Sequence, residues 1–370
     1  MRRMAQVTVD PDALRHNLAR AREAAGPGRR VMAVVKADAY GHGLAEAARA
    51  LAEADALAVA CIGEAACLRE LGWRGRVVVL EGVGDAAGLR EAAALGVDLV
   101  VHAPEQLALL EASPPRRPLD LWLKLDTGMH RLGFDPGEAA ALHARVSALP
   151  GAGTVRWMTH LACADERESP ATARQLERFA RALAGLPGER SAANSGGLLA
   201  WPQARLDWVR PGIMLYGVSP FAGGEGAREG LRPAMRFETR LIAVTRRRRG
   251  DALGYGGAWV CPEDMPVGVA AAGYADGYPR HAPAGTPVLV RGQEAALVGR
   301  VSMDMILVDL RAVPEARPGD VVTLWGPELP VERVAARAGT IAYELLCAAG
   351  ARAGRRVPAR ARALAGGGGA

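Results

Sequence analysis

The stretch "VMAVVKADAYGHGLAEAARALAEADALAVAC", residues 31–61, decides the fold. It opens on an apolar, β-branched run (31–35), breaks at "GHG", continues through an alanine-rich helical pattern (44–53) and returns to a second apolar run (57–61). A short, wholly apolar strand followed by a helix and another such strand is a βα unit in which the strand is covered on both faces. The same grammar recurs, with strands expected at 77–80, 97–101, 119–125, 155–161, 191–194 and 208–215, and helices at stretches such as 64–71, 104–111, 136–148 and 172–184. Eight strand-then-helix units predict an α/β chain built on a TIM-type (β/α)8 barrel, with a doubly wound open sheet as the alternative.

Working outward, "QVTVD" near the start reads as a lone strand placed to pair with a later sheet. From about residue 235 the alternation stops, and strand-length runs separated by Gly, Pro and Asp follow, with one helical pair near 331–349. The expected division is an N-terminal strand (1–10), a cofactor-binding barrel (11–232) and a mostly β C-terminal domain (233–370). The ending "ALAGGGGA" has nothing to bury, so disorder is expected over 363–370.

Composition narrows the class. With 370 residues and 50% hydrophobic content, the chain can bury a sizeable core. It shows neither the apolar stretch of a secretory signal after "MRRMAQVTVDPD" nor a run approaching the roughly 20 apolar residues of a membrane span. Five scattered cysteines without a C-x-x-C pair fit a reducing compartment, so the cytoplasm is expected. The net charge of +6 and the run "RRRR" (246–249) invite a nucleic-acid reading. That reading is set aside because the other arginines are interleaved with acids and no recognition motif accompanies them.

The chain writes its positive charge almost entirely as arginine, and only Lys36 and Lys124 are lysines. A guanidinium does not lose its proton in proteins, whereas an amine can, and can then act as a nucleophile or base. Both lysines close apolar runs, "VMAVVK" and "LDLWLK", and so fall at strand ends. In a TIM barrel the active site lies at the strands' C-terminal ends. "DTGMHRLG", "THLACAD", "ANSGG" and "RPGIMLYG" fall at the same rim. A rim lysine, a phosphate-sized loop pair and several tyrosines point to pyridoxal phosphate, which needs an amine for a Schiff base and donors for its phosphate. No Gly-x-x-x-x-Gly-Lys-Ser/Thr loop and no convincing metal-ligand spacing is present.

The ordered segments "AVVKADAYGHG", "KLDTGMHRLG", "THLACAD", "NSGG", "RPGIMLYG", "LGYGGAW", "GYADGYPR", "GRVSMDM" and "GTIAYELL" resemble the signature set of the bacterial alanine racemases, fold-type III pyridoxal phosphate enzymes. The resemblance runs from about residue 5 to about residue 357. It implies that Lys36 holds the cofactor as an imine and serves as acid and base on the D-side of the substrate's α-carbon. Tyr255, in the "GYG" segment, would be the base on the L-side, and two bases on opposite faces invert a stereocentre.

By the same resemblance Lys124 takes the place of a lysine that is often N-carboxylated, although an ion pair with Asp126 is an open alternative. Arg131 would be held by that carbamate and face the cofactor's phenolic oxygen and the substrate carboxylate. Arg210 would face the pyridine nitrogen with His160 beside it. Tyr40, Ser195, Gly212, Ile213 and Tyr343 match the phosphate-binding positions, with Asn194 and Tyr216 as weaker neighbours. Met303, Asp304 and Tyr278 would reach the substrate from a second subunit together with Tyr255, which implies a homodimer with composite sites. Tyr274 or Tyr278 would narrow the entrance. The chain departs from the family pattern at Gly257, Trp259 and Ser302. A broader amino-acid racemase, a barrel-type decarboxylase and a non-catalytic cofactor carrier are the competing readings.

Overall fold

The structure, a computed structural model, describes residues 3–115 and 117–349 and the backbone of 354–356. The glycine-rich tail expected to be disordered lies outside these residues. Eight parallel strands, Arg30–Val34, Ala56–Val59, Arg76–Val79, Asp98–Val101, Leu119–Lys124, Ala152–Met158, Arg190–Ser191 and Trp208–Val209, pair in chain order. The eighth returns to the first through Arg30↔Trp208 and Val31↔Val209, so the sheet closes into a barrel. Valine, alanine and leucine fill these strands and are buried on both faces, by helices outside and by one another inside. The open-sheet alternative is thereby excluded.

Two strands are shorter than the sequence suggests, for local reasons. The eighth stops at Val209 because Pro211 has no N–H for the ladder, and Ile213–Tyr216 then coils into a 3-10 turn. The seventh stops at Ser191 because Asn194 caps the short helix Ser195–Ala200, its side chain accepting from the Gly197 N–H. Lys36 does not close the first strand directly. That strand ends at Val34, and Ala37, Asp38, Ala39 and Tyr40 follow with φ between 52° and 54°, a left-handed turn made of non-glycine residues.

The C-terminal part is antiparallel. The long strand Met235–Arg247 pairs with Val321–Trp325 along its first half and with Met265–Ala270 along its second, across a bulge between Leu241 and Ala243. Ile306–Asp309, Gln293–Val298 and Pro287–Val290 complete a ring of six pairings back to Val321–Trp325. The N-terminal strand Gln6–Val9 adds to the outside of this ring, opposite Met235–Glu238. The strand Gly354–Arg356 pairs in parallel with Gln6–Val9 on its other side, within the same sheet. Helices Val331–Ala338 and Ala342–Ala348 return to the barrel rim, where Glu332 accepts the N–H groups of Ser219 (3.1 Å) and Gly226 (2.9 Å).

Asn17, a fully buried polar side chain on the first helix, Pro11–Ala25, ties that helix to the segment that leaves the eighth barrel strand. Its amide donates to the carbonyls of Leu215 (3.0 Å) and Arg232 (2.8 Å) and accepts from the Arg232 N–H (2.8 Å). Asn17→Ala leaves three buried backbone groups without partners. The expected loss is about 2 to 4 kcal/mol of folding stability, since each orphaned group costs roughly 1 to 3 kcal/mol before relaxation. Urea unfolding of the two proteins measures it, and an unchanged midpoint would show that this joint carries no load.

Candidate active site

The first strand delivers Lys36 onto the left-handed turn. Each non-glycine residue in that conformation costs roughly 1–2 kcal/mol, so the turn has to be held by its surroundings. Glu64 holds it at the start, one carboxylate oxygen accepting from the Ala37 N–H and the other from the Ala60 N–H, both at 2.7 Å. Asp38 accepts from the Leu44 N–H at 2.7 Å and ties the turn to the next helix. Gly41 ends it at φ 78°, where a Cβ would lie 2.1 Å from the Leu346 carbonyl oxygen. A side chain cannot be accommodated there without moving the C-terminal helix. The result is a lysine fixed in direction at the barrel rim.

Around it opens a cavity of about 470 Å³ lined by Lys36, Tyr40, Lys124, Arg131, His160, Asn194, Ser195, Arg210, Gly212, Ile213 and Tyr343. Eleven residues singled out from the sequence thus converge on one space, at the carboxyl ends of the strands. Four of them are lysines or arginines. Among the described residues no carboxylate lies within ion-pair distance of Lys124, Arg131 or Arg210. Asp126 does not form the alternative ion pair with Lys124. Its Oδ1 instead accepts the N–H groups of Gly128, Met129 and His130 at 3.0 to 3.1 Å and shapes the loop that carries Arg131.

The electrostatics follow from that one-signed cluster. Burial, then Arg210, Arg131 and Lys36, push the Lys124 amine down to about 8. The side chain is 8% exposed, so water does little to screen those neighbours. Burial and the same cations hold His160 well below the ordinary histidine range, so its imidazole is neutral. Its Nδ1 lies 3.4 Å from Nη2 of Arg210, and because a guanidinium only donates, that nitrogen is the acceptor. Burial lowers Arg210 to about 10.

On the other side of the cavity the groups are neutral donors. Burial, helped by Tyr343, raises the Tyr40 phenol, and Tyr343 is itself pushed up to about 12 by burial and Asp165. Both keep their protons across the physiological range. Ser195 Oγ accepts from the N–H of Gly212 (2.9 Å) and of Met214 (3.3 Å). A Cβ on Gly212 would stand 2.5 Å from the Tyr40 hydroxyl, so the backbone there comes as close to the phenol as any residue permits. Tyr216 lies behind this wall, its ring stacked on Tyr40 at 4.7 Å and its hydroxyl donating to the Val34 carbonyl at 2.9 Å.

Four cations, Lys124 and Arg210 among them buried, with no carboxylate partner among the described residues and facing phenols, a hydroxyl and close-packed backbone, fit a small, multiply anionic ring compound. Pyridoxal phosphate has that character, and Lys36 supplies the amine it needs. Among the described residues no group of three or more metal-ligating side chains occurs.

The remaining sequence-derived residues lie elsewhere. Tyr255, Met303 and Asp304 do not line the cavity. Tyr255 is 66% exposed and Met303 51% exposed on the C-terminal domain, while Asp304 lies 3.4 Å from Arg3. Tyr278 is corrected from a substrate contact to a core residue. It is 1% exposed and stacked at 6.3 Å on Trp325, inside its own domain. Of the two tyrosines in "GYADGY" the exposed one is Tyr274. Sequence reasoning missed Glu64 and Ser191, whose contacts depend on tertiary proximity alone, and Cys347, which lines the cavity from the last helix.

Comparison with known proteins agrees with this geometry. Residues 9–220 match the family model "Alanine racemase, N-terminal domain" and residues 234–357 match "Alanine racemase, C-terminal domain". An alanine racemase of Thioalkalivibrio sulfidiphilus is 58% identical over 355 residues, covering 95% of this chain and 98% of its own. The crystal structure of the biosynthetic alanine racemase from Pseudomonas aeruginosa superimposes with a TM-score of 0.94 at 49% identity, over 97% of this chain and all of that one. The alanine racemase of Bartonella henselae, solved with covalently bound pyridoxal phosphate, is 29% identical, with a TM-score of 0.87 over 96% of this chain and 99% of that one. With both domain models matched in order, and relatives of this similarity aligned over nearly their whole length, the chain belongs to the alanine racemase family.

Proposed function

We propose that the chain interconverts L-alanine and D-alanine by moving the α-proton between two bases, Lys36 on the D-side and Tyr255 of a second copy on the L-side. The observation that carries this reading is the convergence of the chain's only two lysines with Arg131, Arg210 and His160 in one cavity at the barrel rim. When bound, pyridoxal phosphate supplies the electron sink that makes the α-proton of an amino acid removable. Lys36 anchors it and then carries a proton on one face. Tyr40, Ser195, Tyr343 and the backbone at Gly212 and Ile213 hold the phosphate, with Asn194 shaping the loop beside it.

Arg210 stands at the ring nitrogen as a donor that does not give up its proton, which keeps the ring a moderate sink and favours return of the α-proton. Arg131 orients the substrate carboxylate.

Tyr255, Tyr274, Met303 and Met305 are large, exposed and carried by the C-terminal domain. In this reading they cover the rim of a partner's barrel, so that each site of a homodimer is composite. Met303 meets the substrate carboxylate through its backbone, and Tyr274 narrows the entrance. The barrel, 11–232, binds the cofactor and the remainder contributes the second base. A cytoplasmic role supplying D-alanine for peptidoglycan follows from this activity, and the relationship to a biosynthetic enzyme supports it. Among the described residues no helix is long and apolar enough to cross a membrane.

Incubating the cofactor-loaded protein with L-alanine in deuterium oxide should yield D-alanine labelled at the α-carbon. Carbon dioxide release without labelled D-alanine would replace racemisation by decarboxylation. Lys36→Arg should fold normally yet lose both the imine absorption and all turnover, because a guanidinium forms no imine; a variant that kept the absorption would remove Lys36 from its role.

Mixing inactive Lys36→Ala with inactive Tyr255→Phe should restore about a quarter of wild-type activity, since random exchange makes half the dimers mixed, each with one intact composite site. No recovery after demonstrated subunit exchange would place both bases in one chain.

Lys124 is the site we assign to carbamate formation. A carbamate forms from the neutral amine, and with the amine titrating near 8 its neutral share shrinks as the pH falls below that value. A carbon-13 carbamate signal from labelled bicarbonate should therefore be present at pH 8, weaken toward pH 6 and vanish in Lys124→Ala. Lys124→Ala should also raise KM by about tenfold through a loosened Arg131, with the cofactor still bound. A signal retained in the variant would assign it to another amine.

A further inference from the structure

Arg210 is a buried guanidinium, 4% exposed, held entirely by neutral acceptors. Nη2 donates to the carbonyls of Thr159 (2.6 Å) and Ala192 (3.3 Å) and meets His160 Nδ1, while Nη1 donates to Ser191 Oγ at 2.5 Å. Two of these partners are backbone and fixed by the barrel. Ser191 and His160 are the side chains, and Ser191 has the shorter contact. Its own proton is committed elsewhere, because Ser191 Oγ donates to the Trp208 carbonyl at 2.8 Å. With that proton placed, a lone pair of the oxygen is aimed at Arg210 and cannot rotate away. Ser191 is fully buried at the end of the seventh strand, so water does not replace the hydroxyl if it is removed.

We infer that Ser191 is a positioning residue for the reaction. Its hydroxyl sets the plane of the Arg210 guanidinium toward the cofactor's ring nitrogen and thereby keeps proton return to the α-carbon ahead of transamination. This rests on the reading of the site given above. In a cluster without a carboxylate partner, orientation of the arginine depends on such neutral acceptors rather than on an ion pair. Removing the hydroxyl frees Nη1, and the ring nitrogen then meets a less well-placed donor. The diverted reaction is balanced as alanine plus pyridoxal phosphate giving pyruvate plus pyridoxamine phosphate. The α-proton is lost, the amino nitrogen passes to the cofactor, and no other oxidant is required.

The test uses Ser191→Ala, Ser191→Cys and Ser191→Thr as cofactor-loaded proteins. The resting visible spectrum and the pyruvate formed per racemisation turnover are recorded for each, together with the melting temperature of the cofactor-free form. For the alanine and cysteine variants we expect a shifted visible band and a rise of about tenfold in pyruvate per turnover, the effect of losing one hydrogen bond to a charged group. Ser191→Thr, which keeps the hydroxyl, should stay near wild type. Should Ser191→Ala not fold, Ser191→Cys, of similar size and with a weak acceptor, decides the matter. Folded alanine and cysteine variants with wild-type spectrum and wild-type pyruvate would overturn the inference, and so would a threonine variant as altered as the alanine one, because packing alone would then explain it. A wild-type protein that binds the cofactor but does not racemise alanine would instead overturn the functional reading, and the resting spectra would still decide the place of Ser191.

Discussion

Positive charge gathered at the barrel rim, with no carboxylate in ion-pair distance among the described residues, is the constraint on which the site depends. Lys36, Lys124, Arg131 and Arg210 share one cavity, and the burial of Lys124 and Arg210 makes the neighbouring charges felt there. Such an arrangement is costly in the free protein, because uncompensated buried charge is poorly solvated. Two of its effects follow from that cost. The Lys124 amine becomes easier to deprotonate, and His160 stays neutral. A phosphate, a phenolate and a carboxylate together relieve the imbalance, so the cavity favours ligands that bring several negative groups at once.

The opposite pole of the same barrel handles charge in the reverse way. Arg76 contacts Asp98 at 2.5 Å and Asp120 at 2.8 Å, and Arg156 reaches Asp120 at 2.9 Å and Glu189 at 2.8 Å. Arg30 lies on Glu189 and over the Trp208 ring, and Trp122 donates to Asp98 at 3.0 Å. Every charge there has a partner of opposite sign or a ring face. Acids and bases in a closed network stabilise the strand starts, where the barrel has no chemistry to perform, whereas the strand ends keep theirs in reserve for ligands.

How much of this was legible in the sequence follows from what each feature depends on. The barrel was legible because alternation of apolar strands and amphipathic helices is a property of neighbouring residues. The rim residues were legible because they sit just past those strands and match the family's ordered segments. The turn after Lys36 was not, since Ala, Asp, Ala and Tyr carry no mark of positive φ, and contacts such as that of Glu64, brought in by folding, hold them there. Tyr274 and Tyr278 were indistinguishable in "GYADGY", because burial against Trp325 is a fact of three dimensions. Ser191 carried no signal at all, a serine in a short strand being among the commonest of residues.

In the proposed reading, the geometry of proton transfer bears on what a second copy would contribute. Inversion requires acid and base groups on both faces of a planar centre, yet the groups a barrel rim offers stand together on the floor and walls beneath the ligand. Lys36 stands on that rim just before the left-handed turn, on one side of the cavity only. A base for the far face has to descend from outside the barrel, on a segment free to meet it. Tyr255 satisfies that requirement, being exposed on a separate β domain and absent from the cavity of its own chain. Dimerisation in this reading is therefore part of the stereochemistry, since a monomer with every barrel residue in place would hold the substrate with a base on one face only.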